Sequence, residues 1–187
     1  MMIEEWTGTE IGIESAVDII NVLEKDFGLT RGHVLRSTYR ALTELLLNIK
    51  HHAYPSESGF VDHFWKISLR IEDKLIHLIV EDHGISIPVS MFEKIKSYKL
   101  DVRDVNYSDA ELINKAVKMS EDSQFKGRGM GLKSILMDVD EGSINAFLIT
   151  SRNGHFEYSP VSNVSSENNF KSFNGTKVEL IISGEVK

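Results

Sequence analysis

Arg40, Glu44, Asn48 and His52 recur at four-residue intervals in one stretch of the chain. On a helix that spacing lines them along one face. The row is either the solvated stripe of an amphipathic helix or a functional one. In the functional case Glu44 supplies a carboxylate able to activate water or a hydroxyl, and Asn48 an amide oxygen able to hold a hard cation such as Mg2+. Asp82-His83-Gly84, followed by Ile85-Ser86-Ile87-Pro88, closes an apolar run. An isolated D-x-G is ordinarily a turn. A buried carboxylate at a strand end would instead accept a hydrogen bond from an exocyclic amine, which is how adenine is told from guanine.

Gly127-Arg128-Gly129-Met130-Gly131-Leu132 runs into a helical pattern that extends to Val139. Glycines at alternate positions before a helix let backbone amides approach an anion at the positive helix end. Taken alone, the segment is as readily a flexible loop. Its spacing is not the dinucleotide fingerprint, and no G-K-[ST] ends it as in a P-loop. Phe173-Asn174-Gly175-Thr176 by itself is a turn. His51, His52, His63, His77, His83 and His155 lack metal-ligand spacing: adjacent His51 and His52 cannot share a helix face, and there is no H-E-x-x-H. Trp6 and Trp65 read as packing residues, and Asp138, Asp140 and Glu141 as a solvated helix end.

The elements that must position these residues follow from periodicity. Glu14 to Gly28 reads as a helix ending at a glycine, and His33 to Tyr54 as a longer one stopped by Pro55. Phe64–Glu72 and Leu75–Glu81 alternate as a hairpin around Asp73-Lys74. From Val89 to Lys126 the sequence is polar and weakly patterned, with helix candidates at MFEKIKSY and at DAELINKAVKM, the latter behind a Ser108/Glu111 capping box. SINAFLITS and HFEYSP read as two strands joined at Arg152-Asn153-Gly154, an Asn-Gly hairpin signal. Val161–Gly175 reads as a polar loop and Thr176–Ser183 as a closing strand. The result is one α+β domain over residues 1–187, with helices on one face of a mixed, mainly antiparallel sheet.

With 21 basic against 28 acidic residues the net charge is −7, which argues against a nucleic-acid-binding role. The absence of cysteine removes disulfide scaffolds, thiolate zinc sites and cysteine nucleophiles. MMIEEWTGTE has no basic n-region, and no apolar stretch approaches the ~20 residues that cross a bilayer. The expectation is a cytoplasmic domain without membrane contact.

In their order, the four motifs resemble those of the GHKL superfamily, the Bergerat-fold ATPases and kinases that include gyrase, heat-shock chaperone, histidine kinase and mismatch-repair members. TELLLNIKHHAY is similar to the N-box, and its ending His52-Ala53-Tyr54 resembles the stand-alone anti-sigma-factor serine kinases especially. DHGISIP, GRGMGLKSI and FNGTKVELII are similar to the three glycine boxes. The resemblance implies a two-layer α/β sandwich that binds ATP and Mg2+. It makes Glu44 the general base, Asn48 the Mg2+ ligand, Asp82 with Gly84 the adenine site, and Thr176 a neighbour of adenine, directly or through water. Gly127, Gly129 and Gly131 would cradle phosphates, with Arg128, Met130 and Leu132 in the same loop. Residues 89–126 would form the nucleotide lid, and residues 1–31 a helical extension.

One position departs from the pattern. Ser86 stands where the first glycine box usually has a second glycine, and a serine fits there if its φ is negative. With no phosphoacceptor helix pair before Glu44 and no transducer domain after Thr176, the anti-sigma-factor type fits better than a histidine kinase or a clamp. The expected activity is transfer or hydrolysis of the γ-phosphate by a serine/threonine kinase or ATPase that regulates a partner protein, with a homodimer left open. The alternative is a non-catalytic, ATP-gated protein-binding module.

Overall fold

Strict alternation in the middle of the chain sets the sheet. A computed structural model describes residues 3–10, 12–29, 32–56, 59, 63–97, 106–119, 130–161 and 165–184. In it β2 (Trp65–Glu72) and β3 (Leu75–Asp82) form the expected hairpin, and Asp73 and Lys74 both take positive φ in the turn. β4 (Ala146–Tyr158) and β5 (Ser165–Ser183) complete a sheet in which all pairings are antiparallel, ordered β1-β2-β3-β5-β4, where β1 is Ile3–Gly8. The register aligns Ile67 and Leu69 with Val80 and Leu78, then Val178 and Leu180, then Ile149 and Phe147. That face is buried under the helices α1 (Ile13–Lys25), α2 (His33–Asn48) and α5 (Met130–Asp140) in a single hydrophobic core. Each such side chain fully buried contributes about 1.5–3 kcal/mol. The protein is therefore α+β, a two-layer arrangement of helices on a sheet. Among the described residues no helix is long and apolar enough to cross a membrane.

Two further helices stand between β3 and α5. α3 (Ile87–Ser97) and α4 (Asp109–Val117) share a small apolar cluster of Met91, Ile95, Leu112 and Met119. The Ser108/Glu111 capping box forms as the sequence predicts: Glu111 N donates to Ser108 Oγ, and Ser108 N to the Glu111 carboxylate.

Four expectations are corrected. Residues 3–8 are an edge strand paired with β2, so the first 31 residues are not helical throughout. The long helix changes pitch after Asn48 into a π turn over Ile49–Ala53. Arg152-Asn153-Gly154 is not a hairpin, because β4 runs straight through it with register shifts on either side of Arg152, whose φ is 53°. The glycine serves close approach instead: a methyl group on Gly154 would lie 2.7 Å from Ala110 N of α4. Asn153 N donates to Asp109 Oδ2 and Arg152 pairs with the same carboxylate, so docking of α4 replaces the turn. Residues 165–175 belong to β5 rather than to a loop, held by the backbone ladder to β4.

Candidate functional site

A cavity of about 640 Å³ lies between α2 with its π turn, α3, α4, the start of α5, the end of β3 and the middle of β5. That is within the usual range for a small-molecule site. Val80, Val178, Ile87, Met91, Met119 and Leu132 supply its apolar walls. Glu44, Asn48, Asp82, Gly131, Leu132 and Thr176, singled out from four separate stretches of sequence, all line it.

At one end Asp82 is the last residue of β3, opposite Thr176 of β5. It is only 6% exposed, and Oδ1 accepts from Gly84 N at 2.9 Å. Burial pushes its pKa from 3.8 up to about 6, against the opposing pull of the Gly84 amide, His83 and the Thr176 amide. The loop after it is pinned on several sides. His83 N donates to Tyr54 Oη at 3.0 Å, and Tyr54 Oη in turn donates to Phe64 O. Burial raises the Tyr54 pKa, which keeps that hydroxyl a donor. Ile85 N donates to Ala53 O, the last carbonyl of the π turn, at 2.9 Å. Gly84 and Gly175 are glycines because backbone crosses there: a methyl group would lie 2.1 Å from Ala53 O in the first case and 2.0 Å from Asp82 O in the second.

Ser151, fully buried in β4, ties this end together. Its hydroxyl donates to Gly175 O at 2.6 Å and accepts from Ile87 N at 3.2 Å. Its proton being committed, it accepts from Thr176 Oγ1 at 3.3 Å, which leaves the Thr176 oxygen facing the site as an acceptor. No spacing signal marks a lone serine in an apolar strand, so the sequence hides it. Ser86 does not take the negative φ that a serine favours. Its φ is 76°, it is 6% exposed, and its hydroxyl has no hydrogen-bond partner among the described residues.

At the other end Glu44 and Asn48 sit one helical turn apart on α2. A methyl group on Gly131, in the first turn of α5, would lie 2.5 Å from Glu44 Oε2, so the carboxylate rests against bare backbone. Asn48 Nδ2 is buried without a partner among the described residues. The π turn that follows, a feature common at functional sites, brings His51 and His52 to the wall beside Lys94. Partial burial, with Lys94 and His51 nearby, lowers the His52 pKa from its ordinary value.

Arg40 splits from the row. It pairs with Asp138 of α5, whose side chain is fully buried. Asp138 is therefore a buried clamp between α2 and α5, which corrects its reading as part of a solvated helix end. Gly127, Arg128 and Gly129 lie outside the described residues, and of Met130 only the backbone is described, as the first residue of α5.

No family model and no curated protein matches this chain.

The geometry itself limits the chemistry. Among the described residues no group of three or more His, Asp or Glu gathers around a point that could hold a metal. Mg2+, which keeps waters and takes one or two protein oxygens beside phosphate oxygens, fits the Glu44 and Asn48 donor set better than a closed protein cage does. The start of α5 borders the same end through Gly131 and Leu132, and the positive end of a helix favours an anion. The Asp82 end offers a buried carboxylate and the Thr176 oxygen against apolar walls, a set suited to a flat ring carrying an amine; Gly84, whose amide is taken by Asp82, does not line the cavity.

Proposed function

We propose that the cavity binds an adenine nucleotide with Mg2+ and that the protein transfers or hydrolyses its γ-phosphate, acting in the cytoplasm on a partner protein as a serine/threonine kinase or ATPase of the GHKL type. The observation that carries this reading is the convergence of Glu44, Asn48, Asp82, Gly131 and Thr176 on one cavity. These positions are scattered over most of the chain and were picked out by four different motifs.

In this reading Asp82 accepts from the exocyclic amine, Thr176 closes on the ring edge, and Gly84 donates to Asp82 and lets the loop close against the Ala53 backbone. Asn48 lends its amide oxygen to Mg2+, whose charge offsets that developing on the phosphoryl oxygens. The start of α5 receives phosphate oxygens, and the glycines at 127 and 129 are assigned the same role on the motif resemblance alone. Glu44 takes the proton of the attacking hydroxyl or water. Incubation with γ-labelled ATP, Mg2+ and cell extract should move more label to phosphate or to a protein than the extract alone does, and Glu44→Gln should cut that excess roughly 10²–10⁴-fold. No excess over the extract alone would contradict turnover.

A further inference from the structure

Ser86 is out of place on three counts. It is the first residue before α3, where a serine normally caps the helix by accepting from an amide of the first turn. At φ 76° that cap does not form, and the hydroxyl is buried with no partner among the described residues. A non-glycine residue in left-handed backbone persists where its surroundings over-determine it, typically at ligand sites. Here they do so from both sides: Ile85 N is held by Ala53 O, Ile87 N by Ser151 Oγ, and Ser90 N by Ser86 O. The residue lines the cavity together with Asp82 and Thr176.

We propose that Ser86 is a base-specificity residue, its buried hydroxyl turning about χ1 into the cavity to donate to the ring nitrogen adjacent to the amine-bearing carbon whose amine Asp82 accepts. The inference rests on the adenine-nucleotide reading and deepens it. Asp82 demands a donor on the ligand and Ser86 demands an acceptor beside it. Adenine presents that pair, whereas guanine carries a carbonyl and then an N–H in those places. The Ser151 and Thr176 hydroxyls are already committed to each other and to Gly175, so Ser86 holds a free proton at this end.

The test compares ATP with an analogue in which that ring nitrogen is replaced by C–H, by calorimetry on wild type, Ser86→Ala and Ser86→Gly. Wild type should prefer ATP by about tenfold, the worth of one good hydrogen bond. Ser86→Ala should bind ATP about tenfold more weakly and no longer separate the two ligands. Ser86→Gly should lose the same discrimination while melting about 2–4 °C higher, because glycine accepts the left-handed backbone. That rise separates lost contact from lost fold. Wild type that does not discriminate, or Ser86→Ala that still does, overturns the role of Ser86 while leaving ATP binding intact. Wild type that binds no adenine nucleotide overturns the underlying reading and this inference with it.

Discussion

The two ends of the cavity are built on opposite plans. Around Asp82 the polar atoms are committed to the protein with one exception, the Ser86 hydroxyl: the acid goes to Gly84, Ser151 to Gly175 and Ile87, Tyr54 to His83 and Phe64. Its glycines meet backbone, Gly84 against Ala53 O and Gly175 against Asp82 O. Around Glu44 the Asn48 amide has no partner among the described residues, and a methyl group on Gly131 would first meet the movable Glu44 carboxylate. A pre-organised end selects its ligand without rearrangement. An end with unmet hydrogen bonds is completed by what binds there, which suits a site where charge moves.

If that contrast holds, substitutions at the two ends should fail differently. The largest effect is expected from Glu44→Gln, which keeps shape and removes basicity. Turnover should fall roughly 10²–10⁴-fold while calorimetric affinity for ATP·Mg2+ is retained. A parallel loss of affinity would mean that Glu44 binds rather than reacts.

Gly84→Ala should come next, costing about 1–3 kcal/mol of stability in denaturant titration, because the new methyl meets a carbonyl that cannot step aside. An unchanged midpoint would show that the Asp82 end is softer than its hydrogen bonds imply.

Asp82→Asn should raise stability and lower function together. With a folded pKa of about 6 against 3.8, folded Asp82 keeps a proton through a range where the unfolded chain has lost it. Its contribution favours folding below about pH 4 and is lost as pH rises through 6, by roughly 2–3 kcal/mol at the usual 1.36 per unit. The asparagine has no such loss, so its advantage in chemical denaturation should appear above pH 6 and vanish near pH 4. An advantage that is the same at both pH values would contradict a buried, strained charge.

Gly131→Ala should do least to the fold, within about 1 kcal/mol either way, since alanine favours helix and the Glu44 tip can swing. It should still slow turnover by displacing the carboxylate. A large loss of stability would place both ends in the same rigid class.

The sequence showed the Glu44 end more openly than the Asp82 end. A four-residue polar row on a leucine-rich helix is visible by periodicity, and so are the β2–β3 alternation and the Ser108 cap. What escaped it depended on tertiary contact. β1 is a short edge strand carrying Glu4 and Glu5, with too few apolar residues to show a period. Asn153-Gly154 carries a turn signal that packing against α4 overrides. The first half of β5 is polar in sequence, without an alternating pattern, and its backbone is paired with β4. Ser151 and Asp138 are single polar residues whose partners lie 24 and 98 positions away, and no local pattern encodes such pairs. The sequence marks Ser86 as a departure that fits with a negative φ, and no local pattern reveals the left-handed φ that makes the position informative.

The most direct measurement is a pair of calorimetric titrations, ATP and GTP with Mg2+, on wild type and Asp82→Asn. Wild type should bind ATP about tenfold or more tightly than GTP, and Asp82→Asn should lose roughly 1–3 kcal/mol of ATP affinity and most of that preference. Equal affinity for the two nucleotides, or binding of neither, would contradict the assignment of this cavity to adenine.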